Sequence, residues 1–360
     1  MAEGTGAMVK KVTIQDLADQ LDLSTATVSR ALRDHPSINE GTRRSVQELA
    51  AGMGYTTHLT SRSLRKGGTL LKRPIAWITP LVNFQFEDPI ILETLGGIAS
   101  RCAEIGRHFL HIPTDVGREL DTYRELIAEG VIEGFVVANR VTEGDRRVEY
   151  LLEEKMPFVA YYGATPLDGN YPSVDVAFAE AYALGTRHLL DLGHRRIALL
   201  NSLPNFQASA ERERGYRSAL AEQQVWTSAN WVIAGPKTEE FGYSAMRQML
   251  DSVSAPTGVL CSSTMAAKGA LAAISERGLV VGRDVSLVNF DDNVAGSFYS
   301  VPLTTLFSPS RPLGRKVVDF LDRTIAGEPP DALHHIIHPE LIVRSSTGPV
   351  PAEYLVASAG

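Results

Sequence analysis

From Pro74 onward the chain alternates short apolar runs with amphipathic stretches, and no other feature limits its fold so tightly. The runs "IAWITPL", "HFLHIP", "IEGFVVAN" and "PFVAYYG" are interleaved with "ILETLGGIASRCAEIG", "YRELIAEG" and "VEYLLEEK". After "SVDV" the rhythm restarts, with "RRIALLNS", "WVIAG", "TGVLCSS" and "VSLVNFDD" set among "AEAYALGTRHLLDLG", "ERERGYRSALAEQ", "GYSAMRQMLDS" and "MAAKGALAAISERG". Strands that alternate with helices predict parallel sheets flanked by helices. Two such series predict two doubly wound parallel-sheet subdomains of α/β class. Open sheets of this kind bind ligands outside the C-terminal ends of their strands, so a cleft between the subdomains is the expected ligand position.

At 360 residues, 44% of them hydrophobic, the chain has room for two or three domains and buries a sizeable core. No stretch approaches the roughly 18 uninterrupted apolar residues of a membrane span. The N-terminal "MAEGTGAMVKK" lacks the apolar segment of a signal peptide, so cytoplasmic residence is the expectation. The two cysteines, Cys102 and Cys261, sit in apolar or small-residue runs, which suits reduced core thiols better than a disulfide or a metal site.

The net charge of −7 is unevenly spread. Residues 1–73 hold eleven Lys and Arg against seven Asp and Glu, a balance of +4 that leaves −11 for the remainder. A polyanion could meet the basic end without attracting the whole protein. In that segment "TIQDLADQL" carries Ile14, Leu17, Ala18 and Leu21 at helical spacing. "STATVSRAL" begins at the cap residue Ser24 and places Val28, Ala31 and Leu32 on one face. A third helix starts at Asn39 and ends near Gly52, weakened by Gly41 and Gly52. A helix, a tight turn and a second helix bearing Thr25, Ala26, Thr27, Ser29 and Arg30 form a helix-turn-helix pattern. Hydroxyls there suit phosphates, and an arginine can read a guanine edge through two hydrogen bonds. The competing reading is a three-helix bundle with a merely solvated polar face.

The strings "VTIQDLADQLDLSTATVSRAL", "PSINEGTRRSV", "GY" and "SRSL" resemble the headpiece and hinge of the lactose/galactose repressor family of bacterial transcription regulators. The likeness continues through "DLGHRRIALL", "RERGYRSAL", "NFDD", "VPLTTL" and "VRSST", in order along nearly the whole chain. It implies an all-α helix-turn-helix headpiece on a core of periplasmic-binding-protein-like build. It also implies that Thr25, Ala26 and Arg30 face bases while Thr27, Ser29 and Asn39 hold phosphates. Arg30 is then the strongest polar base contact, and Ala26 can offer only an apolar one. In the hinge, Leu64 of "SRSL" falls where the family wedges a leucine into the minor groove, with Arg62 also assigned to DNA. The usual proline of this hinge is missing from "YTTH", and a short helix is expected over Leu59–Arg65.

The same resemblance places a small polyol or sugar between the subdomains, held by Arg212 of "RxxGY" and Asp291 of "NFDD". A guanidinium fork and a carboxylate can each engage two vicinal hydroxyls; the competing reading makes them a structural ion pair. Other pocket positions depart from the family. Ser263 stands where an amide is usual, Tyr162 where an acid is, and Lys237 where an aromatic is. The loop after the first strand supplies Phe84, Phe86 and Asp88. More aromatic surface favours a neutral carbohydrate, whereas Lys237 would favour an anionic sugar derivative. No cofactor beyond such an effector is expected.

The expected divisions are a leader over residues 1–9, the headpiece over 10–57, the hinge over 58–73, the core over 74–348 and a tail over 349–360. Within the core, residues 74–175 and 306–336 form one subdomain, and 176–305 and 337–348 the other. The tail "GPVPAEYLVASAG" shows no heptads, so a homodimer is expected, bound to an operator in double-stranded DNA and nucleoid-associated when so bound. The sequence contains no GxxxxGK[ST], GxGxxG or GxSxG motif, so the cleft reads as a sensor rather than an enzyme. "HHIIH" at His334–His338 reads as a surface strand in preference to a metal site. Rival functions are a sugar-binding transport protein of the same build, which would need an export signal, a sugar-modifying enzyme, and a regulator that uses a corepressor.

Overall fold

The computed structural model describes residues 12–32, 35, 37–53, 65–66, 69–70, 72–80, 88–163, 171–226, 228–290 and 300–351. It divides into two compact units, residues 1–70 and 71–360. Among its described residues the first contains three helices, α1 (Ile14–Leu21), α2 (Thr25–Ala31) and α3 (Glu40–Gly52). Each begins at a side-chain cap. Thr13 and Asp16 form a reciprocal capping box on α1, Ser24 accepts from Thr27 N, and Asn39 accepts from Thr42 N. Such caps satisfy backbone donors that the helix itself cannot. Asp22 ends α1 in the left-handed region, at φ 53°, and Leu23 N–H donates back to Ala18 O at 3.0 Å, which sets the tight turn into α2. Leu17, Ala18, Val28, Ala31, Val46 and Ala50 close a small core; its three alanines let the helices approach closely.

The hinge helix expected over Leu59–Arg65 lies outside the described residues except at its last position. There Arg65 belongs to a two-residue strand, β1 (Arg65–Lys66), paired antiparallel with β2 (Thr69–Leu70). Arg65 is therefore not helical.

The second unit holds two six-stranded sheets. One lobe has β3 (Ile75–Pro80), β4 (Phe109–Thr114), β5 (Gly134–Ala138), β6 (Phe158–Tyr161), β7 (Ser173–Val176) and β13 (His334–Ile337). Their order is β13-β7-β6-β5-β3-β4, and all their pairings are parallel. Helices α4 (Pro89–Glu104), α5 (Glu119–Glu129), α6 (Arg146–Glu153) and α11 (Ser310–Ile325) accompany it. The other lobe has β8 (Ile197–Ser202), β9 (Val232–Gly235), β10 (Gly258–Cys261), β11 (Ser286–Phe290), β12 (Thr304–Phe307) and β14 (Glu340–Ile342), in the order β14-β12-β11-β10-β8-β9. Its helices are α7 (Phe178–Asp191), α8 (Gln207–Glu222), α9 (Glu239–Leu250) and α10 (Thr264–Glu276).

The chain crosses between lobes after β7, after β12 and after β13. Val176 and Ile337 pair with each other in the first sheet, and Leu306 and Phe307 pair with β14 in the second. The subdomain limits expected at 175/176, 305/306 and 336/337 thus shift by one or two residues. The second sheet is also not wholly parallel, because β14 runs antiparallel to β12; a short returning strand at a sheet edge needs no crossover helix. Central strands such as β5, β8 and β10 are buried along their whole length, as expected of parallel strands covered on both faces. Both cysteines are buried thiols. Among the described residues, no helix is long and apolar enough to cross a membrane.

Candidate functional site

In the headpiece, Val28 and Ala31 turn α2's apolar face inward. Ala26 and Arg30, four residues apart and hence on one helix face, are exposed, while Thr25, Thr27 and Ser29 are half-buried. The Thr27 hydroxyl lies 2.8 Å from Ser24 Oγ and so shares in the cap. Asn39 is exposed, and its Oδ1 accepts from Thr42 N–H at 2.8 Å. Arg43 donates to the Ile38 carbonyl at 3.0 Å, which ties the start of α3 to the preceding loop. Arg62 and Leu64 lie outside the described residues.

In the core, side chains from both lobes meet at the strand C-terminal ends. Arg212 on α8 is 2% exposed. Its guanidinium stands 4.5 Å from the centre of the Phe178 ring, 5.6 Å from that of Phe290 and 5.9 Å from that of Tyr182. Nη1 donates to Ser202 Oγ at 2.8 Å, and Ser202 Oγ also lies 2.7 Å from Ser209 Oγ. Nε is buried without a hydrogen-bond partner among the described residues. Burial pushes the Arg212 pKa below its usual value, opposed by Tyr182, Tyr162, Asp88 and Asp175. An interior guanidinium that keeps a spare donor is costly unless something accepts from it.

Opposite it, Asp88 is 2% exposed and caps α4, with Oδ1 accepting from Ile90 N–H at 3.1 Å. Its Oδ2 has no hydrogen-bond donor among the described residues and lies 3.8 Å from Nζ of Lys237, which reaches over from the loop after β9. Tyr162 is buried at a left-handed φ of 56°. Its ring packs against Tyr161 at 4.5 Å and Phe178 at 5.3 Å. Beside it the Asp175 carboxylate accepts from the Gly163 and Val176 N–H groups at 2.9 and 2.8 Å.

The lobes also touch through backbone. Val141 and Phe206 form an isolated antiparallel bridge, flanked by Thr142 N–H to Asn205 O and Gln207 N–H to Arg140 O, both 3.0 Å. Helix α8 has no side-chain cap, so the carbonyl of Arg140 caps it from the other lobe. Gly215 lets α8 lie on α7, since a Cβ there would collide with the Ala179 carbonyl.

The structure thus gathers Arg212, Asp88, Lys237 and Tyr162. Phe84, Phe86 and Asp291 lie outside the described residues. Ser263 is fully buried and caps α10, with its Oγ accepting from Ala266 N–H at 3.2 Å. Sequence reasoning missed Ser202, Asp175, Phe178, Tyr182 and Phe290. For Ser202 and Phe290 a signal existed in their position at the last residue of a strand. His334 on the edge strand and His338 just after it are both exposed, bonded to Ser173 Oγ and Glu180 respectively. No group of three His, Cys, Asp or Glu among the described residues could hold a metal.

A small helical unit with a helix-turn-helix, joined to a two-lobed α/β core with a buried polar site between its lobes, is the architecture of a DNA-binding regulator. Residues 13–58 match the model of the bacterial regulatory proteins of the lacI family, and residues 186–347 that of the periplasmic binding protein-like domain. The HTH-type transcriptional regulator AglR of Rhizobium meliloti (strain 1021) is 35% identical over 343 residues, covering 94% of this chain and 95% of its own. A lacI-family regulatory protein from Chloroflexus aggregans superposes with a TM-score of 0.68 at 29% identity, over 76% of this chain and 98% of that one. A complex of the transcriptional regulator CelR with cellobiose has the same fold, with a TM-score of 0.70 at 24% identity over 93% and 99% of the two chains. The chain belongs to the lacI family of bacterial regulatory proteins; it is a transcriptional regulator and not an enzyme.

Proposed function

We propose that this regulator is a homodimeric repressor that binds a palindromic operator and is released by a small carbohydrate held between the lobes of its core. The observation that carries the effector half is Arg212, a buried guanidinium bracketed by three aromatic rings, with its Nε unmet among the described residues. Ring hydroxyls can accept from such a fork while the rings cover the sugar's apolar faces. The cellobiose complex of the same fold supports a ligand of that size and kind. The exposed Ala26 and Arg30 face of α2 carries the DNA half. A two-fold dimer would set two such helices about 34 Å apart in successive major grooves.

For release, the effector must favour one lobe arrangement over the other. Loss of about a thousandfold in operator affinity requires about 4 kcal/mol of coupling. A gel shift on a palindrome upstream of the gene tests the reading. The wild type should bind it well above random DNA, Arg30→Ala about 10- to 100-fold more weakly, and an effective sugar should release the wild type. Equal binding to random DNA would end the repressor proposal.

A further inference from the structure

The charges between the lobes bear on which class of sugar the cleft accepts, an inference that rests on the effector reading above. Two cations and two carboxylates are described there, Arg212 and Lys237 with Asp88 and Asp175. Among the described residues these two signs balance. Lys237, the residue that would draw an anion, is the one whose ammonium faces Asp88 at 3.8 Å across the lobe boundary. Asp175 already accepts from two backbone N–H groups. Asp88 does not have its full complement. Its Oδ1 is used by the α4 cap, whereas Oδ2 is buried and lacks a hydrogen-bond donor among the described residues, Lys237 being too far for a hydrogen bond. A buried carboxylate oxygen in that state calls for a donor. A sugar hydroxyl donates. An ionised phosphate or carboxylate only accepts, and it would bring a second negative charge against Asp88.

We infer that Asp88 accepts a hydroxyl of a neutral saccharide and that Lys237, reaching from the opposite lobe, is neutralised by Asp88 rather than by the ligand. The pair is then a specificity device that favours a neutral sugar over its phosphorylated form. It is also assembled from both lobes, so it is complete only when they are together.

The two substitutions should act with opposite sign. Asp88→Asn keeps a good helix cap and removes the carboxylate that faces Lys237, so it weakens the neutral ligand and improves an anionic one. Lys237→Gln removes the ammonium that faces Asp88 and sharpens rejection of anions. Calorimetric titration of the full-length protein with trehalose, maltose, cellobiose and sucrose, each against its 6-phosphate, reads both effects. We expect at least one neutral sugar to bind the wild type about tenfold or more tighter than its 6-phosphate, the scale of a charged hydrogen bond. That ratio should fall or invert in Asp88→Asn and rise in Lys237→Gln, with unliganded melting temperatures reporting that both variants are folded. A wild type that prefers the 6-phosphate, or ratios that move the same way in both variants, overturns the inference and leaves the effector reading standing. If none of the eight compounds binds the wild type or changes its operator affinity, the carbohydrate-effector reading fails and takes the inference with it.

Discussion

The two lobes of the core share a parallel-sheet plan yet fill their polar interiors in different ways. The first relies on charge. Arg107, 5% exposed, binds Glu133 and Asp322 and donates to the Arg73 carbonyl at 2.8 Å, while Lys72 adds a second cation 3.2 Å from Asp322. Burial alone would lower the Arg107 pKa, but Glu133 and Asp322 outweigh it and hold it above its usual value. These contacts tie α11 to the approaches of β3, β4 and β5. The second lobe holds its C-terminal segment through neutral groups. His194, 1% exposed, contacts Thr257 Oγ1 and Ser286 Oγ at 3.0 Å and the Gly348 carbonyl at 3.1 Å. Ser346 Oγ links Leu287 O at 2.6 Å to Thr304 N at 2.7 Å. Each lobe must fasten a returning segment of chain after a crossing, and each does so with a different chemistry. Their responses to salt, acid and truncation should therefore differ.

The strongest way to break the contrast is Arg107→Met. It strands two carboxylates that face a buried cation, and removing one partner of a buried pair costs roughly 3–5 kcal/mol. Because Glu133 and Asp322 keep some solvent contact, about 3 kcal/mol is expected, measured as the change in the urea midpoint. Acid probes the second lobe next. Burial holds His194 down to a pKa of about 4, below the ordinary value near 6.5 of the unfolded chain. Its neutral form is thus favoured by folding, and its contribution is complete above pH ~6.5 and lost as pH falls toward about 4. At most ~3 kcal/mol is involved. A urea series over that range should show the wild type losing stability, and His194→Asn should flatten this part of the profile. The smallest effect should come from Arg315→Ala, which removes an exposed forked pair with Glu104. That pairing holds the Glu104 carboxyl down near 2, yet solvent screens it, and no resolvable change in Tm is expected in 0.15 M salt.

Legibility followed the kind of signal each region carries. The headpiece helices were readable because Ser24 and Asn39 are cap residues before periodic apolar positions. The two sheets were readable from alternation, but β14 was not, since three residues at an edge leave no period to detect. In the cleft, Arg212 was legible through the resemblance of "RxxGY", and its burial agrees with a dedicated position. Ser202, Phe178 and Phe290 come from three separate elements, and fully buried parallel strands show no alternation to tell which residue faces a ligand. Ser263 illustrates the converse. A serine after a strand reads equally well as a ligand contact or a helix cap, and only the bond from Ala266 N–H shows that Ser263 serves as the cap.

The bridge between Val141 and Phe206 has a further consequence, which concerns time rather than affinity. The first donor of α8 is satisfied by Arg140 O from the other lobe, so drawing the lobes apart uncaps the helix that carries Arg212. Two backbone hydrogen bonds must part together before the cleft opens there. A molecule enclosed at this point would leave at the pace of that unlatching, and its dwell time would be set by main-chain contacts that never touch it.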